Sequence, residues 1–150
     1  SKSTFKGLNT TIDAKLSASS AFNIAWNIYS TDANNLYDPM TIQNFNILYK
    51  YTSQKHNLGG NINLKIKPEF TSQRFEGDEL VNVQQEPYNL ININFYKKLI
   101  KFNTTFSFGV KNISNVTNIL SLGDGNVHSS SESTISWGRT FYVNFKTTLR

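Results

Sequence analysis

The residues of this chain that could do chemistry are few, and most of them fall between stretches of alternating polar and apolar residues. The chain has 150 residues and no cysteine, so disulfides and thiolate metal ligands are impossible. His128 could ligate a metal or a haem, but a lone histidine in a loop is more often only solvated. Four charged residues could contact a small substrate, although a solvated loop tip is the default interpretation of Arg74, Glu76, Asp78 and Glu79.

Two short motifs have simpler explanations than a binding site. The sequence GDGN (Gly123–Asn126) lacks the spaced acidic residues of a calcium loop and is typical of an Asp-Gly turn. Four triplets match the glycosylation pattern Asn-x-Ser/Thr, beginning at Asn9, Asn103, Asn112 and Asn115. Three of them lie in or just after alternating segments, so we interpret them as strand lining. No Ser-His-Asp set and no paired carboxylates can be argued, and we predict no enzymatic activity, no metal site and no cofactor.

Charge and hydropathy exclude further classes of protein. A net charge of +5 and a pI near 9.4 would suit nucleic acid. The basic residues are scattered, however, and the densest group, YKKLIK (Tyr96–Lys101), is typical of a turn between strands, so we predict no nucleic-acid partner. The mean hydropathy is -0.40, and no run approaches the roughly 18–20 apolar residues of a membrane-spanning helix. The strands of a membrane barrel alternate instead, which keeps their mean hydropathy modest.

Period-two alternation is the dominant pattern. In FNTTFSFGVK (Phe102–Lys111), apolar or threonine side chains occupy the even positions up to Val110, and polar residues or glycine occupy the odd ones. A strand with two unlike faces has this pattern. Seven such segments occur, at about residues 8–16, 22–28, 45–51, 58–67, 91–95, 102–110 and 137–149. With no convincing helix, the predicted fold class is all-β.

The connections between these segments alternate in length. SASSA, TSQKHN and KKLIK are short turns after the first, third and fifth segments, whereas the other links are longer: STDANNLYDPMT, TSQRFEGDELVNVQQEP and SNVTNILSLGDGNVHSSSEST. Bacterial outer-membrane barrels have short periplasmic turns at one end and long extracellular loops at the other. We therefore expect an antiparallel up-and-down transmembrane β-barrel, with its C-terminus in the periplasm.

The polar face of the strands indicates which side meets lipid. Asn61, Asn63, Lys65 and Lys67 share one face of a strand, and each unpaired polar group buried in a core would cost about 1–3 kcal/mol or more. Because they are tolerated beside water or a polar plug, we expect the opposite face to meet lipid. The residues predicted to face lipid are Leu8, Ile12, Phe22, Ile24, Trp26, Ile28, Phe45, Ile47, Tyr49, Tyr51, Ile62, Leu64, Ile91, Ile93, Phe95, Phe102, Phe106, Phe108, Val110, Trp137, Phe141, Val143 and Phe145.

Aromatic and basic residues near the strand ends support the same assignment. Five aromatic residues fall near the short turns, as an interfacial girdle would: Phe22, Tyr49, Tyr51, Phe95 and Phe102. Lys6 and Arg139 interrupt the apolar face only at the long-loop end, where a lipid-facing cation costs roughly 0–1 kcal/mol. We expect membrane lipid and lipopolysaccharide to be partners of this face.

An odd number of strands indicates a larger assembly. Single-chain bacterial barrels have even numbers of strands, and an open sheet in lipid leaves unpaired edges. Since a strand begins almost at residue 1, we expect residues 1–150 to be one segment of a larger barrel, without a plug domain. Two alternatives stay open: a self-contained small outer-membrane barrel acting as an adhesin or structural protein, and a soluble lipocalin-like ligand-binding barrel.

Three segments resemble the TonB-dependent outer-membrane receptors. FSFGVKNISNVTNI (Phe106–Ile119) is similar to their penultimate strand, which ends in a V-x-N-L-F-N/D-type signature. SWGRTFYVNFKTTLR (Ser136–Arg150) is similar to their closing strand, G-R-T/S-aromatic-aromatic-V, although the family usually ends on an aromatic residue and this chain ends in leucine and arginine. TFKGLNTTIDAKLS (Thr4–Ser17) resembles an earlier G-L/I-E strand, with Asn9 at the usually acidic position.

The resemblance implies a place in the cell and an activity. It implies that the chain is the C-terminal part of a barrel of about 22 strands in the outer membrane of a Gram-negative bacterium. The Asn- and Lys-rich composition resembles receptors of the Bacteroidetes. The implied activity is energised uptake of a scarce nutrient, such as siderophore-iron, haem, cobalamin, a glycan or a peptide. The implied partners are the rest of the barrel, the plug and, through the plug, the TonB complex.

Overall fold

The fold is known from a computed structural model, which describes residues 4–31, 40–76, 78–123 and 131–148. These residues form antiparallel strands and one 3-10 turn, Ile100–Phe102, with no α-helix among them. In chain order the strands are β1 (Phe5–Lys15), β2 (Ser20–Thr31), β3 (Met40–Ser53), β4 (Leu58–Lys67), β5 (Phe70–Glu76), β6 (Glu79–Gln85), β7 (Tyr88–Leu99), β8 (Thr104–Lys111), β9 (Asn118–Gly123), β10 (Ser131–Thr134) and β11 (Thr140–Thr147). The all-β prediction is confirmed. None of the described segments includes a helix long and apolar enough to cross a membrane.

Seven of the strands form one up-and-down sheet. Its order is β1-β2-β3-β4-β7-β8-β11, and every neighbouring pair is antiparallel. Each of the seven alternating segments of the sequence lies on one of these strands, so the predicted strand order is confirmed. The two outer strands, β1 and β11, do not pair with each other in the described residues, and the sheet is therefore open.

The pairing register climbs steadily across this sheet. One row of paired residues starts near the end of β1 and finishes at the start of β11. It consists of Ala14, Phe22, Tyr49, Ile62, Ile93, Val110 and Phe141. The row thus crosses from the short-turn end to the long-link end of the strands. A stagger of this kind accompanies strand tilt when a sheet curves into a barrel wall.

Asparagine residues with positive φ shape several of the connections. Asn57 (φ 53°) closes the turn before β4, and Asn103 (φ 46°) ends the 3-10 turn before β8. Asn112 (φ 52°) and Asn115 (φ 57°) lie just after β8. Asparagine enters this left-handed region more readily than most residues. Of the four Asn-x-Ser/Thr triplets, three of which were interpreted as strand lining, the one at Asn9 begins in β1, and those at Asn103, Asn112 and Asn115 begin at these turn positions.

Two of the long links contain a second sheet, which the alternation did not predict. The hairpin β5–β6 lies between β4 and β7, and β9–β10 lies between β8 and β11. The strands β6 and β9 pair, which gives the order β10-β9-β6-β5. The large sheet has the seven strands expected from the alternation, and the second sheet adds four, which makes eleven in the described residues. Polar residues occupy both faces of short strands such as FTSQRFE, so period two is not visible in the sequence.

The buried apolar side chains of the described residues lie in this second sheet. Val83 and Ile119 are 3% and 7% exposed, and Ser121 is also buried. The register of β6 with β9 puts all three on one face. In the seven-stranded sheet, by contrast, none of the large apolar side chains that the structure describes is fully buried.

Candidate functional site

One face of the seven-stranded sheet carries nearly all residues that were predicted to face lipid. The pairs Ile12–Ile24, Ile47–Leu64 and Phe106–Phe145 illustrate how apolar residues face one another across strands. Of the 23 predicted residues, the 21 on these seven strands lie on this one face, called here the apolar face. Phe102 lies in the 3-10 turn and Trp137 precedes β11.

Aromatic rings pack against each other along the apolar face but remain open to the surroundings. The rings of Trp26 and Phe45 are stacked with centroids 6.0 Å apart, and Phe106 and Phe145 lie 5.0 Å apart. Phe145 is nevertheless 68% exposed and Trp137 fully exposed. Soluble monomers rarely expose contiguous apolar patches of more than about a few hundred Å², whereas exposed apolar residues here extend from Leu8 on β1 to Phe145 on β11.

A polar group on the apolar face has its own partner. The indole nitrogen of Trp26 donates a hydrogen bond to Oε1 of Gln43 at 3.3 Å, and both side chains lie on this face. A donor that faces an apolar medium is costly unless it is hydrogen-bonded. The pair therefore makes this position compatible with a lipid environment.

The opposite face, called here the amide face, is lined by asparagine, lysine and tyrosine. Its side chains hydrogen-bond across strands: Nδ2 of Asn63 donates to Oδ1 of Asn46 at 2.7 Å, and Nδ2 of Asn23 donates to Asp13 at 2.8 Å. The described residues include no buried side-chain nitrogen or oxygen without a hydrogen-bond partner. On the amide face, side-chain hydrogen bonds thus join β1 to β2 and β3 to β4.

Two tyrosine rings on the amide face lie over glycines of neighbouring strands. A Cβ added to Gly59 would lie 2.5 Å from the Tyr96 hydroxyl, and one added to Gly109 would lie 2.6 Å from Cζ of Tyr142. The Tyr142 hydroxyl then donates to Oδ1 of Asn94 at 3.0 Å. Sequence reasoning missed these pairs, although an aromatic residue on a polar face opposite a strand glycine is a usable signal.

Asn112 organises the junction just after β8, within the segment that resembles the penultimate receptor strand. It is 4% exposed, and its Nδ2 donates to the Val116 carbonyl at 2.7 Å and to Oγ of Ser136 at 3.1 Å. Its Oδ1 accepts a hydrogen bond from the Val116 backbone N–H, and its own backbone N–H donates to Oδ1 of Asn92. One residue thus joins three elements: its backbone N–H bonds to β7, and its side chain bonds to the turn after β8 and the approach to β11.

Arg139 reinforces the same junction from the other resembling segment. Its guanidinium donates to the carbonyl oxygen of Ile113 through Nε at 3.1 Å and Nη2 at 2.7 Å. Its backbone N–H donates to Oδ1 of Asn115 at 3.0 Å. Gly138, with φ 81°, approaches that same oxygen so closely that an added Cβ would lie 3.1 Å away. Arg139, which the sequence placed on the apolar face at the long-loop end, therefore has a structural role there.

Apart from His128, the charged residues considered as substrate contacts lie along the β5–β6 hairpin and its turn. Glu76 and Glu79 pair at the end of the β5–β6 hairpin, with exposed Asp78 in its turn and Arg74 two residues earlier on β5. His128 lies outside the described residues. The described part of the chain includes no group of three or more His, Cys, Asp or Glu residues that could hold a metal ion.

A shallow hollow lies at the short-turn end of the amide face, between β1 and β3. Its volume is about 420 Å³, and it is lined by Asp13, Lys15, Ala21, Lys50 and Thr52 together with the serines of the first turn. Lys15 and Lys50 both pair with Ala21, so the small methyl group separates the two lysines.

No protein-family model, curated protein or solved structure matches this chain. What the two faces do is inferred from their own chemistry.

Proposed function

We propose that this chain forms part of the barrel wall of a TonB-dependent receptor in the outer membrane of a Gram-negative bacterium. In such a receptor it serves the energised uptake of a scarce nutrient, in the class of siderophore-iron, haem, cobalamin, a glycan or a peptide. One observation carries the proposal: a staggered antiparallel sheet has an uncovered apolar face, a hydrogen-bonded amide face and two open outer strands.

The contrast between the faces supports a position between lipid and water. In water, each Å² of exposed apolar surface is unfavourable by roughly 25 cal/mol, whereas hydrocarbon chains cover the same surface without that penalty. The strands of the sheet are 8 to 14 residues long. Tilted transmembrane strands need about 9–11 residues, so these lengths fit a bilayer.

The open edges support membership of a larger barrel. β1 and β11 each have a sheet neighbour on one side only among the described residues. Unpaired backbone groups in lipid cost several kcal/mol each, so a membrane sheet must continue until it closes. Further strands beside β1 and β11 therefore complete the wall.

The junction around Asn112 supports the receptor class. The two segments whose sequences resemble the last two receptor strands are joined there by Asn112 to Ser136 and by Arg139 to Ile113. The signature residues thus have a physical role in holding the closing strand next to the turn that precedes it. On this proposal the chain supplies wall and loops, the C-terminus is periplasmic, and ligand movement belongs to the plug.

Single-cysteine variants on β7 test the membrane assignment, since residues 1–150 contain no natural cysteine that a label could reach. Each variant carries one cysteine labelled with a fluorophore. The cysteine replaces Ile91, Ile93 or Phe95 on the apolar face, or the matched neighbour Asn92 or Asn94 on the amide face. In isolated outer membranes, a lipid-soluble quencher should reach a fluorophore on the first set and leave the second set unaffected. Equal quenching at neighbouring positions, or recovery of the protein in the soluble fraction, would contradict the proposal.

The transport activity needs a separate experiment in living cells. A strain lacking the gene should lose growth when one of the named nutrients is limiting, and dissipating the inner-membrane proton gradient should abolish the uptake that remains in the parent strain. Unchanged uptake of all five nutrient classes would contradict the proposed receptor function, but not the proposed place in an outer-membrane barrel.

A further inference from the structure

Lys97 is a cation on the apolar face, at the short-turn end of β7. The pairing register puts it in a row between Leu58 on β4 and Phe106 on β8. On its own strand, the nearest residues of the same face are Phe95 and Leu99, and both are exposed. Lys97 is exposed as well, so its charge lies on a surface that the proposed function turns toward lipid. A lysine is tolerated there when its ammonium reaches the polar boundary of the membrane.

The turn between β3 and β4 holds the ammonium of Lys97 in place. The Lys97 ammonium donates a hydrogen bond to the carbonyl oxygen of His56 in that turn. The next residue strengthens the contact, because the backbone N–H of Lys98 donates to the Asn57 carbonyl at 2.7 Å. A carbonyl oxygen carries no net charge, so this hydrogen bond positions the ammonium without neutralising it.

Two further exposed lysines lie in the turns beside Lys97. Lys55 precedes His56 in the β3–β4 turn, and Lys101 lies in the 3-10 turn that links β7 to β8. Since β4 and β7 are neighbours in the sheet, their two turns are adjacent. The three residues Lys55, Lys97 and Lys101 are called here the basic rim.

The hairpins that carry the basic rim contain no carboxylate that could neutralise it. Residues 39–68, which include β3 and β4, and residues 87–123, which include β7 and β8, contain eight lysines and no aspartate or glutamate. The nearest acidic residue on another strand of the sheet is Asp13 on β1, which lies on the amide face and accepts a hydrogen bond from Asn23. Cations held together in this way attract an anion from outside the chain.

We propose that the basic rim binds the phosphate of an anionic phospholipid in the periplasmic leaflet of the outer membrane. This inference rests on the proposed function, which turns the apolar face toward lipid and the short turns toward the periplasm. The phosphate meets the three ammonium groups, and the acyl chains lie against the apolar side chains that follow along the strands. This partner is distinct from lipopolysaccharide, which occupies the opposite leaflet.

The apolar surroundings favour a lipid over a soluble anion. Toward the middle of the strands, the rings of Phe95 and Phe108 are stacked with centroids 5.4 Å apart, and they offer a surface to an acyl chain. Ile100 and Phe102, in the turn itself, are also largely exposed. A soluble phosphate would leave these side chains in water, whereas a phospholipid covers them and brings its phosphate to the lysines.

The charge of the basic rim favours an anionic headgroup over a zwitterionic one. Phosphatidylglycerol carries a phosphate and no cation, whereas phosphatidylethanolamine and phosphatidylcholine add an ammonium group that the lysines repel. A lysine close to an anionic lipid surface strengthens binding about fivefold. The basic rim should therefore enrich anionic phospholipid beside β7.

Lipid quenching beside Lys97 tests the proposal. The full-length protein, with any cysteine outside residues 1–150 replaced by serine, is reconstituted into phosphatidylcholine vesicles. A fluorophore is attached to Leu99→Cys, on the apolar face next to the basic rim, or to Ile91→Cys, on the same strand and face at the long-link end. Phospholipids with brominated acyl chains quench a fluorophore that they contact.

Brominated phosphatidylglycerol and brominated phosphatidylcholine are compared at equal mole fraction. At position 99 the relative binding constant should favour phosphatidylglycerol by about fivefold or more. At position 91 it should be close to one, because the basic rim is at the other end of the strand.

Charge removal identifies the lysines responsible. Lys97→Gln and the double variant Lys55→Gln/Lys101→Gln should each reduce the preference of the label beside the rim. Lys65→Gln/Lys111→Gln removes the same charge as the double variant, but from the amide face, and should leave the preference unchanged. Two separate rim variants keep the test decisive if one of them fails to assemble.

Native mass spectrometry of the full-length protein, extracted from outer membranes in detergent, identifies what occupies the basic rim. The unaltered protein should retain an anionic phospholipid, and the rim variants should lose it. Excess soluble glycerol phosphate should not displace the lipid, because it cannot cover the apolar side chains.

Four outcomes would overturn the lipid site. They are equal quenching by the two lipids at position 99, a preference that survives both rim variants, displacement by glycerol phosphate, and retention of a periplasmic protein in place of phospholipid. The proposed function fails in a different way. Labels that neither brominated lipid quenches would show that the apolar face does not meet lipid, whereas equal quenching by both lipids excludes only the headgroup site.

Discussion

At the scale of single residues, two kinds of side chain hold the amide face together: tyrosines over glycines, and asparagines in left-handed turns. Gly109 leaves space that the Tyr142 ring fills, and the ring's hydroxyl reaches Asn94 on a third strand. Asn112 combines positive φ with four hydrogen bonds. In both cases a small set of atoms fixes the relation between several strands, so substitutions there should have large effects.

Replacing Gly109 with alanine should lower the free energy of unfolding by about 1–3 kcal/mol, because a Cβ forces the surrounding structure to shift. The new atom would meet the Tyr142 ring and lie 2.5 Å from the Ile93 carbonyl oxygen. Urea unfolding in lipid vesicles, followed by tryptophan fluorescence, measures the change. Gly7→Ala is the control, because its nearest neighbour is the exposed Tyr29 ring at 3.1 Å, which can move. Equal losses in the two variants would contradict the explanation.

Asn112→Ala should lower stability by about 2–4 kcal/mol, because it leaves the partly buried partners Val116 and Ser136 without these hydrogen bonds and places alanine at positive φ. Asn112→Gly removes the backbone strain but not the loss of hydrogen bonds, so its effect should be intermediate. Asn144→Ala, at an exposed position of β11, should change stability by no more than about 0.5 kcal/mol. The same urea titration compares the three, and a neutral Asn112→Ala would show that the junction is not held by this side chain.

At the scale of elements, the two faces of a strand in the large sheet have different neighbours. On β3, Ile47 pairs with Ile24 and Leu64, whereas the next residue, Leu48, pairs with Asn23 and Asn63. Neighbouring residues on one strand thus lie in opposite environments. The side on which a charge is tolerated therefore reports which medium each face meets.

Ile47→Lys should reduce assembly into the outer membrane, because a lysine facing mid-bilayer lipid costs about 2–4 kcal/mol. Leu48→Lys is the matched control, since it makes the same chemical change one residue away on the amide face. Heat-dependent mobility in gel electrophoresis reports the folded fraction of each variant. If Ile47→Lys assembles as well as Leu48→Lys, the apolar face does not meet lipid.

At the scale of the whole molecule, the chain is a membrane wall in our proposal, and its second sheet is built from two long links. Pairing of β6 with β9 joins the link after β4 to the link after β8, and the backbone N–H of Glu86 donates to the Leu120 carbonyl at 3.2 Å. These links project from one end of the strands, while the turns at the other end are short. The two ends are therefore expected on opposite sides of the membrane.

A protease recognition sequence inserted after Asp78, in the β5–β6 turn, should be cut when protease is added to intact cells. The same insertion after Lys55, in the turn between β3 and β4, should be cut only after the outer membrane is permeabilised. Immunoblotting of the fragments reads the result. Cleavage at Lys55 in intact cells would reverse the proposed orientation.

The sequence alone determined the strands of the large sheet, their order and the division of their side chains between two faces. Alternation is a local property, because successive side chains of a strand point to opposite sides. Ile91, Asn92 and Ile93 therefore reveal their faces without knowledge of any partner. Short turns such as SASSA also require their two strands to be antiparallel neighbours.

Only the tertiary structure decided which residues of different strands meet. That Tyr142 lies over Gly109, or that Asn112 reaches Ser136, depends on the register between segments that are many residues apart. The second sheet was missed for a related reason, since β6 and β9 are short and lie far apart in the chain. Local patterning specifies the face of a side chain, but the contacts of that face depend on strand pairing, which is a non-local interaction.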